Sequence, residues 1–355
     1  MLARPLVVAA GALAFVTACV PEGEPPPDDA PDARRIVVAV EGEGAVAVIA
    51  EADGSLLGKV PFAVGAQDYD VHNVQGDPDG HTVWATAMPM DDSGMSMKDD
   101  ELVGMDTADL TITKRIPLGS MQHVAHVVTD GQLAWVTAKD GNVVFEVDLA
   151  AGEVVRTLAL SAGTGPHGLR QTPDGSKLIV AGWDGHTLDV IDLASGDVTA
   201  YDVGGIAVQA AVLPDGSAAF VTVYDTKQVA RLALDTNTLE LIDLPAGSAG
   251  PVQIYPMPDS SGVWVADQGN VGGDPAGESL YLLDGATGAV KLTATVSPAP
   301  HGVVVSDDGA MVWTTTVVNG TVDRVDAATG EVVSSTPVGD EPNGITCLHA
   351  GGAMP

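Results

Sequence analysis

The chain has 355 residues and a formal net charge of −33, from 48 acidic against 15 basic side chains. Such a field repels phosphate backbones, so nucleic acid is not an expected partner. Gly (42) and Pro (23) are abundant and aromatics reach only 4%, a mixture that suits many short strands and tight turns and argues against a helical protein.

Residues 1–18 have the layout of an export signal: Arg4 leads, an apolar run extends from Leu6 to Val16, and Thr17 and Ala18 precede Cys19. The run is too short to span a bilayer comfortably. Val16-Thr17-Ala18-Cys19 resembles the bacterial lipobox, which implies lipidation at Cys19, anchorage to the membrane through the N-terminal lipid and a place in the cell envelope. Val20 after the cysteine leans toward the outer membrane, on its periplasmic or surface-exposed side. Residues 19–34 carry five prolines among acids and read as an extended tether. Once Cys19 is acylated, the only other cysteine, Cys347, has no partner for a disulfide; it sits in an apolar run and is expected to be a buried, inert thiol.

Residues 35–355 are expected to form one domain. Six turn signals recur, at Asp79-Gly80, Asp130-Gly131, Asp174-Gly175, Asp215-Gly216, Asp259-Ser260 and Asp308-Gly309, each between two apolar runs. Asp-Gly between β-type runs is a strong hairpin signal, because Gly accepts positive φ and Asp bonds its own backbone. A further strand follows each hairpin, and in four copies it runs into a second turn, as in Asp192-Leu193-Ala194-Ser195-Gly196 and Asp326-Ala327-Ala328-Thr329-Gly330. Four strands, A to D, in units of about 40 to 50 residues are the mark of propeller blades. The expected fold is therefore all-β: a seven-bladed β-propeller of four-stranded blades. Its last blade is closed by N-terminal strands B, C and D (Arg35 to Phe62) pairing with a C-terminal strand A (Asn343 to Leu348).

The Pro-Asp-Gly turn, the strands Trp135-Val136-Thr137 and Phe220-Val221-Thr222, and the Asp-x-x-x-Gly second turn resemble the YVTN-type β-propeller repeat family over some 320 residues. That resemblance implies the propeller and a binding or surface role. It departs at the asparagine closing the motif, replaced by Ala138, Val223 or Thr316.

Counting eight residues back from each turn Gly (or its Ser) aligns His72, His123, His167, Val208, Val252, His301 and Asn343 at the start of strand A. Equivalent positions ring the channel mouth, so His72, His123, His167 and His301 are expected to converge as ligands for copper or zinc. The competing reading makes His-Gly a blade-entry element that satisfies backbone groups, and takes His126 as packed. Gln209 and Gln253 follow in blades without the histidine. The D-to-A and B-to-C connections share this face, which adds His186 and the blade-one loop with Met88, Met90, Met95 and Met97. Met-x-Met pairs resemble copper(I) segments, against a loop that folds over the mouth. A blade-five loop with Asp267, Asn270, Asp274 and Glu278 has oxygen donors without calcium-loop spacing.

Phosphate-cradling, nucleophile, cysteine-pair and dinucleotide motifs are absent from the sequence. Two functions stand. One is a monomeric surface module that binds a protein or small-molecule partner, with a metal, at the loop-rich face. The other is a metal-dependent envelope enzyme of lyase or oxidoreductase type using the histidine ring, with Asp70 as the nearest candidate base.

Overall fold

A computed structural model describes residues 34–91, 94–95, 97–270 and 273–348. The export signal, Cys19 and nearly all of the tether lie outside the described residues. Among the described residues, twenty-nine strands, β1 to β29, form seven antiparallel sheets, and six sheets follow chain order. The seventh joins the two ends of the described chain: β29 (Pro342–Leu348) pairs with β1 (Arg35–Val40), followed by β2 (Ala45–Ala50) and β3 (Leu56–Pro61). The chain is a seven-bladed propeller, closed as the sequence leads one to expect. With the blades numbered from His72, strands A of blades one to six are β4 (Asp68–Gly76), β9 (Val124–Thr129), β13 (Pro166–Gln171), β17 (Ala207–Val212), β21 (Pro251–Pro256) and β25 (Pro300–Val305).

Burial explains why the strands read differently in sequence. Every residue of β17, β21 and β29 is buried, since an innermost strand is flanked by blades on both faces, and these read as nearly continuous apolar runs. The outermost strands, such as β20 (Thr238–Asp243), have their faces half in water and mix polar with apolar residues. Large strand-B side chains, among them Trp264, Trp313 and Phe220, fill the wedges between blades. At the turns, Asp174 Oδ1 accepts the Ser176 N–H, and Gly175 adopts φ +70°; Asp192 and Asp326 accept in the same way in the second turns.

Adjacent blades are stitched by threonines in the middle of strand B. Thr86, Thr137, Thr222 and Thr315 each accept an N–H from their own strand A, those of Asn73, His126, Gln209 and Gly302. Each then donates to a carbonyl of the next blade: Ala125, His167, Val252 and Asn343. Thr137→Val keeps the shape but strands a buried N–H and C=O, each costing about 1–3 kcal/mol. The variant is expected to lose about 2–3 kcal/mol in urea denaturation, while Val136→Ile, outside the stitch, serves as a packing comparison.

Asp189, on β15 (Thr187–Asp192), is fully buried, and no hydrogen bond of good geometry reaches either carboxylate oxygen. Burial drives its carboxyl up to about 6, against the downward pull of the Thr187 and Thr164 hydroxyls. A raised carboxyl holds its proton in the folded state, so stability is greatest below the unfolded-chain value near 4 and falls as pH rises toward 6. Asp189→Asn is expected to gain about 2 kcal/mol at pH 7.5 and almost nothing at pH 4, measured by denaturant melts at both.

Candidate metal centre

Strand register settles which side chains share a level of the channel. The pairs Val71↔Ala87, Pro166↔Gly182 and Pro300↔Thr316 put His72, His167 and His301 at one position, with Val208, Val252 and Asn343. In blade two the equivalent of Val71 is Val124, paired with Ala138, so the ring position falls on Ala125 and His126 stands one residue deeper, level with Gln209 and Gln253. The expectation for His123 is corrected here. Only four residues separate the paired Thr129 and Ala134, where six separate Gln171 from Leu178. Counting back from this shorter turn overshoots by two. His123 precedes β9 at φ +52°, with its side chain 37% exposed and Nδ1 3.6 Å from Asp140.

The side chains that do meet are His72, His126 and His167, whose potential ligand atoms all lie within 4.8 Å of one another. Their ring centroids are 5.5 Å (His72 to His126), 5.5 Å (His72 to His167) and 4.8 Å (His126 to His167) apart, with Trp183 5.0 Å from His167. His126 is completely buried, as expected of a packed residue, yet its packing partners are the other two imidazoles. His301 belongs to the same ring but lies outside this triad.

Second contacts fix how each imidazole presents itself. His167 Nδ1 lies 2.8 Å from the Val208 carbonyl and so carries the proton, leaving Nε2 with a free lone pair. Burial, with His72 close by, brings His167 down to about 3, so it is neutral at physiological pH. His301 donates from Nδ1 to Gln268 Oε1 at 2.5 Å; burial holds it at about 4, and its Nε2 is buried without a partner. His72 Nδ1 faces Glu41 Oε2 at 3.4 Å, and Nε2 is again unpartnered. Burial works to lower His72, but the Glu41 and Asp70 carboxylates more than offset it. Glu41, which burial alone would raise, is held at about 2 by His72 and by the Asn343 amide bonded to it. His126 Nδ1 faces the Gln209 amide nitrogen at 3.1 Å, and Gln209 donates to Gln253 Oε1 at 2.9 Å. For His126 to ligate through Nε2, the Gln209 amide has to turn so that it accepts the Nδ1 proton.

Three buried nitrogens without partners, on His72, His126 and His301, are what a cation site leaves open when only protein is present. Ligands of a tetrahedral zinc lie about 3.3 Å apart, so ligand atoms within 4.8 Å of one another close on an ion by modest rotation of the rings. A second group, Glu41, Asp70 and His72, shares His72 and lies equally close together. Burial and the nearby Glu41 push Asp70 up to about 7.

The remaining expected residues are scattered. His186 is exposed at φ +56° in the blade-three B-to-C loop, on the same face. Met88 is buried in the core against Trp84, Leu102 and Ile116. Met90 is half-buried and pairs by its backbone with Met95, whose side chain lies outside the described residues. Met97 is 79% exposed. Asp267 is consumed by structure, accepting from Ser248, Ala249, Gly250 and Tyr281. Glu41 and Gln268, both missed in the sequence, occupy equivalent positions in blades seven and five, one residue beyond the strand-B partners of Pro342 and Pro251. Aligning that position across blades is the signal that finds them.

No protein-family model matches the sequence, and no curated protein does. Solved structures do match. A Bacteroides fragilis protein inferred to be a 6-phosphogluconolactonase aligns over 92% of this chain and 100% of its own, at TM-score 0.68 and 14% identity. Hydrazine synthase of Kuenenia stuttgartiensis covers 79% of this chain and 95% of its own, at 0.63 and 15%. The dihydro-heme d1 dehydrogenase NirN in complex with DHE covers 91% and 76%, at 0.61 and 18%. At these identities the likeness concerns the fold.

Proposed function

We propose that the chain is an envelope-anchored binding propeller of the YVTN type that holds a copper or zinc ion at its channel mouth and meets a protein or small-molecule partner there. His72, His126 and His167 are the ligands, and His301, at the ring position shared by His72 and His167, is the fourth imidazole nearby. One observation carries this reading: one potential ligand atom from each of the three imidazoles lies within 4.8 Å of the others, and the Nε2 atoms of His72 and His126 are buried and unpartnered. Nitrogen donors of this kind suit copper and zinc over magnesium or calcium. Glu41 against His72 and the Val208 carbonyl against His167 are the outer partners that orient metal-binding histidines.

The experiment is elemental analysis of protein purified without chelator. About one equivalent of copper or zinc, absent from a variant with His72, His126 and His167 all changed to alanine, supports the proposal; metal-free wild-type protein that also fails to take up either ion rejects it.

A second reading, catalysis at the same mouth, is favoured by Asp70. Its carboxyl titrates near neutrality beside His72, as a general base requires. A lactone is a reasonable first substrate, prompted by the inferred function of one structural neighbour. Turnover lost in Asp70→Asn with metal retained supports an enzyme.

A further inference from the structure

The other mouth of the channel holds a cavity of about 920 Å³, lined by A-to-B turns from blades one to five. Its opening follows from the short blade-two turn, which lacks the two residues, proline among them, that its neighbours place there. Arg170 of β13 lines the floor. Its one hydrogen bond among the described residues goes to the adjacent Leu169 carbonyl at 3.0 Å, and none of the ion pairs includes it. The neighbouring Arg156 is differently placed, bonded to the Leu193 carbonyl and facing Glu146. A guanidinium with the Tyr255 phenol as its electrostatic neighbour and no carboxylate paired to it among the described residues, in a chain of net charge −33, is a group with an open role, since it offers a planar fork of donors.

We propose that this cavity is a binding site for a small monoanionic carboxylate with an apolar or aromatic body, its carboxylate seated on Arg170. Val128, Leu133, Trp135, Pro173 and Pro214 supply apolar wall for the body, and a volume of 920 Å³ is typical of small-molecule pockets. Asp130 and Asp174 stand at the rim. Asp174, its oxygens held by the Thr172 and Ser176 donors, is ionised, at about 2. Rim charge of this sign penalises a dianionic phosphate more than a carboxylate, so the site selects by charge number as well as by shape. The bidentate match of guanidinium to carboxylate fixes the ligand's orientation.

The test is calorimetric titration of the full-length protein with benzoate, hexanoate, inorganic phosphate and benzylamine. Saturable binding of benzoate or hexanoate, with no heat from phosphate or benzylamine, is expected. Arg170→Gln should weaken it at least about tenfold, the scale of one charge-assisted contact. A second variant keeps Arg170 and lengthens the Asp130-Gly131 turn by two residues to match blade three; it should weaken binding similarly by roofing the cleft. His123→Ala, on the histidine face and outside the triad, should leave it unchanged, which separates this site from the opposite mouth. The proposal is overturned if neither carboxylate binds saturably, if phosphate or benzylamine binds as tightly, or if binding survives both the Arg170 and the turn variants.

Discussion

Replacing His167 by alanine is expected to weaken copper(II) or zinc binding by at least about 100-fold, while His123→Ala stays within about twofold. Outer partners of metal ligands alone are worth about 10- to 100-fold, and His167 would be a ligand whose own partner, the Val208 carbonyl at 2.8 Å, presets its tautomer. His123 is as close in sequence to His126 as a ligand could be, yet it points to Asp140, outside the triad. The pair thus separates the register seen in the structure from the one obtained by counting residues. Competition titration with a chromogenic chelator reads both. Affinity lost equally in the two variants would refute the triad. pH gives a second handle: all three imidazoles must be neutral to ligate, and Glu41 holds His72 above its usual value. Affinity should therefore fall as pH drops through the His72 titration, while His167, at about 3, has no part in that loss.

Deleting Pro342–Leu348 is expected to abolish the cooperative fold. All seven residues of β29 are buried, and the strand is innermost in its sheet, in contact with its own blade and both neighbours. Ile345 and Leu348 alone contribute about 1.5–3 kcal/mol each by burial, and each ladder hydrogen bond adds about 1 kcal/mol. Together these approach the whole stability of an ordinary domain, about 5–15 kcal/mol. Near-ultraviolet circular dichroism and a thermal melt check this. A shortened chain that still melts cooperatively within a few degrees of wild type would show that six blades and an open seventh suffice. Addition of a synthetic peptide spanning Glu341–Leu348 should restore part of the signal, because the vacated edge is a template for strand addition.

The fold was legible because its signals are local. Asp-Gly turns, apolar inner strands and Asp-x-x-x-Gly second turns each report on a few adjacent residues, and the copies corroborate one another. The site was legible in part. His72, His167 and His301 fall at equivalent positions because their blades share one turn length, whereas the two residues missing at Asp130-Gly131 shift blade two and hide His126. A count from a turn inherits every change in that turn; a count from the strand-B threonine does not, since Thr86, Thr137, Thr222 and Thr315 are tied to strand A by hydrogen bonds. Glu41 was hidden for another reason, and an alignment of blades, not a local pattern, is what finds it. Its partner His72 lies in the next blade, and no local pattern couples an acid after β1 to a histidine 31 positions on.

Arg35 opens β1 beside Leu348, whereas Val40, at the strand's far end, leads into Glu41 and the histidine triad. Six residues of strand span about 20 Å, so chain preceding Arg35 departs from the side that carries Arg170. Under the proposed anchorage through the leading segment, the Arg170 cavity is the mouth turned toward the anchor and the imidazoles are turned away from it. The strand's direction thus fixes which mouth lies nearer the start of the described chain: Arg35 stands on the Arg170 side, and the imidazoles are at the opposite one.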